Sequence, residues 1–404
     1  MKYVIILCDG MSDYNIPELN GRTPLEAAFT PNMDALAAYS ELGLAQSVPV
    51  GMKPGSDTAN LSILGYDPAL YYSGRSPLEA LAMGITLKDT DIAIRCNLVT
   101  LSDDDIYDNK IMLDYSAGEI TTPEAHQLIK HIEANFGSLR MHFHAGISYR
   151  HCLVMENAAL GTVFTPPHDI TGKQITAYMP SGLYGEEIAE MQRRSYALLD
   201  NHPINIARRK AKLRPANSIW LWGEGVKPKL KDFYEKNGIK GAMISAVDLL
   251  KGIAFGANMT VVEVEGANGT LHTNYLGKAQ AALNVLEQVD FVYIHIEAPD
   301  EMGHQGELNN KIKAIENIDR DIVKTVVEGL RAKQEEFSIL ICPDHATPIA
   351  IRTHSSDPIP YMLYRSNNPK NNNTKYNEKV CAESGLFVNQ GSKLIEKLLE
   401  RGNI

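Results

Sequence analysis

KYVIILCDG (2–10) carries an apolar run, unbroken from Tyr3 to Leu7, that closes on an acid. Polar residues do not alternate with apolar ones, as expected for a strand buried on both faces of a parallel sheet. The design returns in FVYIHIEAPDEMGH (291–304) and FSILICPDHATPIAIRTH (337–354). Asp300 and His304 follow the first of these runs, and Asp344, His345 and His354 follow the second. Ligands of open α/β sheets collect beyond the carboxyl ends of strands. Asp9, Asp300 and Asp344 are therefore expected to meet at one sheet edge.

Helical patterns separate the runs: NMDALAAYSELG (32–43), AVDLLKGIA (246–254), YLGKAQAALNVLEQ (275–288) and NKIKAIENIDRDIVKTVVEGLRAK (310–333). Strand–helix alternation of this kind predicts an α/β fold with a doubly wound, mostly parallel sheet and right-handed crossovers. From 91 to 215 the pattern is patchier. A helical PEAHQLIKHIEANFG (123–137) stands between strand-like IAIRCNLVTL (92–101) and MHFHAGISYRHCLVM (141–155), the order of a small α+β unit. SIWLWGEG (218–225) and IKGAMIS (239–245) read as core strands again. The expected division is a metal-binding core of 1–90 and 216–404, with an inserted substrate-binding lid at 91–215. The Asn-rich NNPKNNNTKYNE (367–378) reads as a surface loop without chemistry.

A chain of 404 residues is long for one core and agrees with two domains. With 49 acidic and 39 basic residues the formal charge is −10, which argues against a nucleic-acid binder. Small anionic substrates remain compatible, because local arginines override the global sign. The five cysteines are scattered without a CxxC pair, which fits free thiols in a reducing cytoplasm. The start is not expected to act as a signal peptide, and no window has the roughly 18 apolar residues of a membrane span. The expectation is a cytoplasmic protein with a small phosphorylated substrate and neither nucleic-acid nor membrane partner; oligomeric state stays open.

Asp300 and His304 are spaced to share one helix face, and His354 would complete a site of two imidazoles and a carboxylate. Asp344 and His345, with Asp9 and Ser56 of GSDTAN (55–60), would form a second site. Mixed carboxylate and imidazole donors favour Mn2+, with Zn2+ or Mg2+ as alternatives. A hydroxyl held by such ions ionises far more easily than a free one, so Ser56 is the candidate nucleophile for phosphate esters. An aspartate after a strand is ordinarily a turn or cap, and a serine before a helix an N-cap. Seven such residues converging favour the metal reading.

CDGMSD (8–13), TPLEAAFTPNMDALA (23–37), GSDTANLSILGYDP (55–68), YYSGRSPLEALAMGI (71–85), EAPDEMGH (297–304) and PDHATPI (343–349) resemble the archaeal-type, cofactor-independent (2,3-bisphosphoglycerate-independent) phosphoglycerate mutases of the alkaline phosphatase superfamily. The resemblance runs over nearly the whole chain. It implies a glycolytic isomerase that interconverts 3-phosphoglycerate and 2-phosphoglycerate through a phosphoserine on Ser56. It also implies two divalent ions, one on Asp9, Ser56, Asp344 and His345, the other on Asp300, His304 and His354. One departure stands out: where the mutases carry an arginine-rich DRRAGR, this chain has DYSAGE (114–119). A sister branch similar to the mutases, proposed to act as a homoserine kinase, shares the DYSAG pattern. A kinase-like phosphotransferase and a plain phosphomonoesterase are thus the alternatives.

Arginine forks suit carboxylate and phosphate. The candidates for holding substrate are Arg150 and His151 in SYRHC, Arg208 and Arg214 around NIARRKAKLR, and Lys278 near a helix start. His295, inside an apolar strand, is expected to satisfy a core hydrogen bond.

Overall fold

Lys2–Cys8 (β1) lies inside an eight-stranded sheet in the computed structural model, which describes residues 1–400. The other strands are Ser40–Ala45 (β2), Gly241–Ile244 (β3), Thr260–Val261 (β4), Phe291–Ile296 (β5), Phe337–Cys342 (β6), Ile359–Arg365 (β7) and Phe387–Val388 (β8). Their order is β4-β3-β5-β1-β6-β7-β2-β8. β1 runs parallel to β5 and β6, with Val4 opposite both Val292 and Ile339. Only β7 runs against its neighbours, so the sheet is mostly parallel.

Every residue of β5 and β6 is buried, which is why their sequences show no alternation. Side chains such as Val4, Ile6, Ile294 and Ile341 pack with Ala279, Ala282, Ala314 and Ile318 from the helical segments. Each such aliphatic side chain contributes about 1.5–3 kcal/mol by leaving water. One helical expectation is corrected. The 32–43 segment is a helix only over Pro31–Ala37 and then becomes β2. Pairing with β7 and β8 overrides the helical pattern, and Gly43 lets β7 approach, since a Cβ there would lie 2.8 Å from the Tyr361 ring.

The chain divides into two compact units, Met1–Tyr72 with the chain from Lys229 onward, and Ser73–Pro228. The boundaries differ from the expected 1–90, 91–215 and 216–404. Ser218–Val226 is not a strand of the large sheet; it pairs antiparallel with Ile92–Leu101, which also pairs with Arg150–Met155. Ala80, of the helix Arg75–Ala82, packs with Ala93, Cys152 and Val154 in the same unit. A continuous apolar run reports burial, but not which sheet does the burying. The helix Thr122–Phe136 covers this smaller sheet, with Leu128 and Ile132 against Ile94 and Leu153.

The Asn-rich loop also departs from expectation. Tyr376 is buried, and its hydroxyl donates to the carbonyls of Ile341 and Pro360. All five cysteines are free and buried. Among the described residues, no helix is long and apolar enough to cross a membrane.

Candidate metal centre

Four helices of the first unit matter here: Ser56–Ile63 (α1), Tyr275–Val285 (α2), Ala298–Gln305 (α3) and Leu308–Asn317 (α4). Asp9 leaves the end of β1, Asp300 lies in the first turn of α3, and Asp344 with His345 follows β6. His304 Nε2 stands 3.2 Å from Asp300 Oδ2, and His354 Nε2 lies 3.5 Å from Asp300 Oδ1 and 2.9 Å from His304 Nε2. One donor atom from each of these three residues falls within 4.8 Å of the others, and the same holds for Asp9, Asp300 and His345. His345 Nε2 is 3.4 Å from Asp344 Oδ2, 3.7 Å from Asp9 Oδ1 and 3.3 Å from Ser56 Oγ. All seven expected ligands thus come together in one unit.

Local structure explains the convergence. Ser56 is the first residue of α1, so its hydroxyl sits at the helix end whose opening N–H groups lack partners within the helix; that of Thr58 is taken by Asp57. Gly10 turns the chain after Asp9 with φ +61°, and a Cβ there would lie 2.6 Å from Thr347 Oγ1 and 2.7 Å from Asp300 Oδ1. Only glycine lets the β1 loop approach α3 this closely.

Residues that sequence reasoning passed over hold the ligands. Asn60 donates to Asp344 Oδ2 at 2.8 Å and accepts from the Tyr293 hydroxyl at 2.5 Å. The Thr347 hydroxyl donates to Asp300. His295 does more than satisfy the core: its Nε2 lies 2.9 Å from Asp9 Oδ2. The available signal was polar groups two apart, Tyr293 and His295, in the otherwise apolar β5.

Beneath the site, Lys311 of α4 is fully buried and donates to Asp13 Oδ2 at 2.7 Å and to the Thr347 carbonyl at 2.9 Å. It ties together the loops that carry Asp9 and His345. Glu378 is half-buried beside them, accepting from the Thr23 hydroxyl at 2.7 Å and the Asp13 N–H at 3.3 Å, and desolvation pushes its carboxyl up to about 7. The end of the Asn-rich loop therefore does carry structural chemistry. Lys311→Met strands the buried Asp13 carboxylate, and the free energy of unfolding in denaturant is expected to fall by about 3–5 kcal/mol. A loss too small to measure would show that Asp13 needs no counter-charge.

The electrostatics call for cations. Burial raises the Asp9 carboxyl well above the usual carboxylate range, and repulsion from Asp344 and Asp300 adds to it. Burial works the same way on Asp300, but hydrogen bonds from His304 and His354 outweigh it and hold that carboxyl well below. The Asp300 carboxylate raises His304 to about 9, while burial lowers His345. Asp9 Oδ1 is buried with no hydrogen-bond partner among the described residues, which is costly unless something else fills that place. Oxygen and imidazole donors at this spacing fit divalent cations.

The expected substrate contacts lie apart from this cluster in character. Arg208 is buried and donates to Glu124, to the Ala117 carbonyl and to the Arg214 carbonyl. It braces the DYSAG turn instead of presenting a fork to a ligand. Arg214 braces the same turn, through the Leu113 carbonyl and Asp114. His151 is buried inside the smaller unit, accepts the Gly146 N–H on Nδ1, and is held neutral by burial at about 3. Arg150 beside it is exposed. Lys278 is buried in α2, donates to the His295 carbonyl at 2.9 Å, and is lowered by burial to about 8. It anchors β5 and does not open toward solvent.

Residues 37–205 match the family model described as 2,3-bisphosphoglycerate-independent phosphoglycerate mutase. A protein of that name from Methanosarcina barkeri is 47% identical over 99% of this chain and 100% of its own length. A probable one from Geobacter sulfurreducens is 46% identical with the same coverage. Among solved structures, a Pyrococcus horikoshii protein aligns with TM-score 0.82 and 30% identity over 100% of this chain and 98% of its own. The cofactor-independent phosphoglycerate mutase of Thermoplasma acidophilum aligns with TM-score 0.67 and 26% identity over 99% of both. With nearly half its residues shared along its whole length, this chain belongs to the 2,3-bisphosphoglycerate-independent phosphoglycerate mutase family.

Proposed function

We propose that the chain interconverts 3-phosphoglycerate and 2-phosphoglycerate through a phosphoserine on Ser56. The observation that carries the reading is Ser56 Oγ at the start of α1, 3.3 Å from His345 within the set of Asp9, Asp300, His304, Asp344 and His354. Asp9, Ser56, Asp344 and His345 would hold one divalent cation and Asp300, His304 and His354 another; Mn2+ suits the donor set best. When bound, such ions lower the hydroxyl pKa and offset charge on the transferring phosphoryl group.

The chain's own groups do the rest. Ser56 Oγ attacks phosphorus, forming the Oγ–P bond as the P–O bond to glycerate breaks, and the proton lost by Ser56 goes to the glycerate oxygen. The N–H groups opening α1 receive the phosphoryl oxygens. Glycerate turns, and its other hydroxyl attacks phosphoserine, restoring Ser56. The unit 73–228 is the proposed substrate lid, with exposed Arg150 its candidate for the substrate carboxylate. Water must be kept out while phosphoserine exists, which is the task of closure. The expected location is the cytoplasm.

The test is a substrate panel with chelated, Mn2+-reloaded protein. Conversion of 3-phosphoglycerate without bisphosphoglycerate is the expected result. O-phosphohomoserine from ATP and homoserine, or steady phosphate release from simple esters, each without mutase turnover, would overturn the reading.

A further inference from the structure

Tyr293 and His295 lie two residues apart on β5 and so face the same side of the sheet. His295 is fully buried, with Nε2 2.9 Å from Asp9 Oδ2 and Nδ1 3.2 Å from Ser245 Oγ. The Ser245 oxygen already accepts the Val247 N–H at 3.0 Å. Asp9 must be ionised to hold a cation, so its Oδ2 can only accept; the ring then carries its proton on Nε2, and Nδ1 accepts the Ser245 hydroxyl hydrogen. The donors thus run in one direction, from Val247 through Ser245 and His295 to Asp9. At the end of that run Asp9 Oδ2 is capped, while Oδ1 is buried without a hydrogen-bond partner among the described residues, 3.7 Å from His345 Nε2.

Tyr293 does the same for the neighbouring carboxylate. Its hydroxyl donates to Asn60 Oδ1, which fixes the oxygen end of the amide. Asn60 Nδ2 must then face the Ser56 carbonyl and Asp344 Oδ2, each at 2.8 Å. One face of one strand therefore orients two carboxylates.

We propose that Tyr293 and His295 are positioning residues for the cation site beside Ser56, and that Ser245 holds the His295 tautomer in which Asp9 offers a single oxygen to the ion. This rests on the reading that Asp9 and Asp344 hold a cation. Hydrogen-bonded partners of metal ligands fix ligand orientation and basicity, and losing one costs roughly 10–100-fold in affinity. A merely structural role would change stability and leave affinity alone.

The experiment is calorimetric titration of the chelator-stripped, full-length chain with Mn2+, beside thermal melts. Ser245→Ala and Tyr293→Phe each remove one hydroxyl and are expected to weaken one of two binding events about tenfold or more, with folding preserved. His295→Gln, which keeps an N–H donor, is expected to retain more affinity than His295→Ala. Wild-type affinity at both sites in Ser245→Ala and Tyr293→Phe would overturn the proposal. A wild-type chain that binds no Mn2+ would overturn the functional reading beneath it.

Discussion

Ser56→Ala is expected to lower turnover of 3-phosphoglycerate by about 10⁴-fold or more, the scale on which removal of a catalytic nucleophile acts. The change deletes one oxygen from the first residue of α1, and Gly55 N-caps that helix without a side chain. The fold should therefore persist, and circular dichroism should match the wild type. Ser56 Oγ approaches His345 but makes no other side-chain hydrogen bond among the described residues, so little packing is lost with it. A phosphorylated form of the wild type, trapped by rapid quenching and located on Ser56, should be missing from the variant. Turnover at wild-type level in Ser56→Ala would remove the serine from the reaction altogether.

Asp300→Asn is expected to be the most damaging change among the ligands. Asp300 belongs to both donor groups, near His304 and His354 on one side and near Asp9 and His345 on the other. Replacing its carboxylate by an amide also leaves the Thr347 hydroxyl and two histidines facing a neutral group. Mn2+ binding should weaken at both sites, by more than the roughly 100-fold ceiling for losing an outer hydrogen-bond partner. His354→Ala, by contrast, should weaken one site and spare the other. Calorimetric titration of both variants after chelation distinguishes the patterns. Two events of near wild-type affinity in Asp300→Asn would show that the bridging position is incidental.

What could be read from the sequence depended on whether function left its mark in local pattern. Asp9, Asp300 and Asp344 were legible because each follows, within four residues, an apolar run that reads as a buried parallel strand. His304 was legible from helical spacing. The inward turn of Arg208 was not, because NIARRKAKLR looks like a basic surface helix and nothing local marks Glu124 or the Ala117 carbonyl as partners. The unit boundaries were misplaced for a related reason: Ser218–Val226 has the composition of a core strand and finds its partner in Ile92–Leu101. Glu378 was hidden at the end of an asparagine-rich segment, and only the fold brings it to Ser12, Asp13 and Thr23. Contacts between distant residues decide these cases, and single-chain patterns do not encode them.

The first unit is split by the second, and β1 pairs only with strands that begin at Phe291 and Phe337. On the ribosome, Asp9 and Ser56 emerge long before Asp344 and His354 exist. The continuous 73–228 stretch can fold early, while the apolar β1 has no strand partner until Phe291–Ile296 and Phe337–Cys342 have been made. A nascent chain therefore lacks part of the donor set until His354 has been made, and β1 is the segment a chaperone would have to shield.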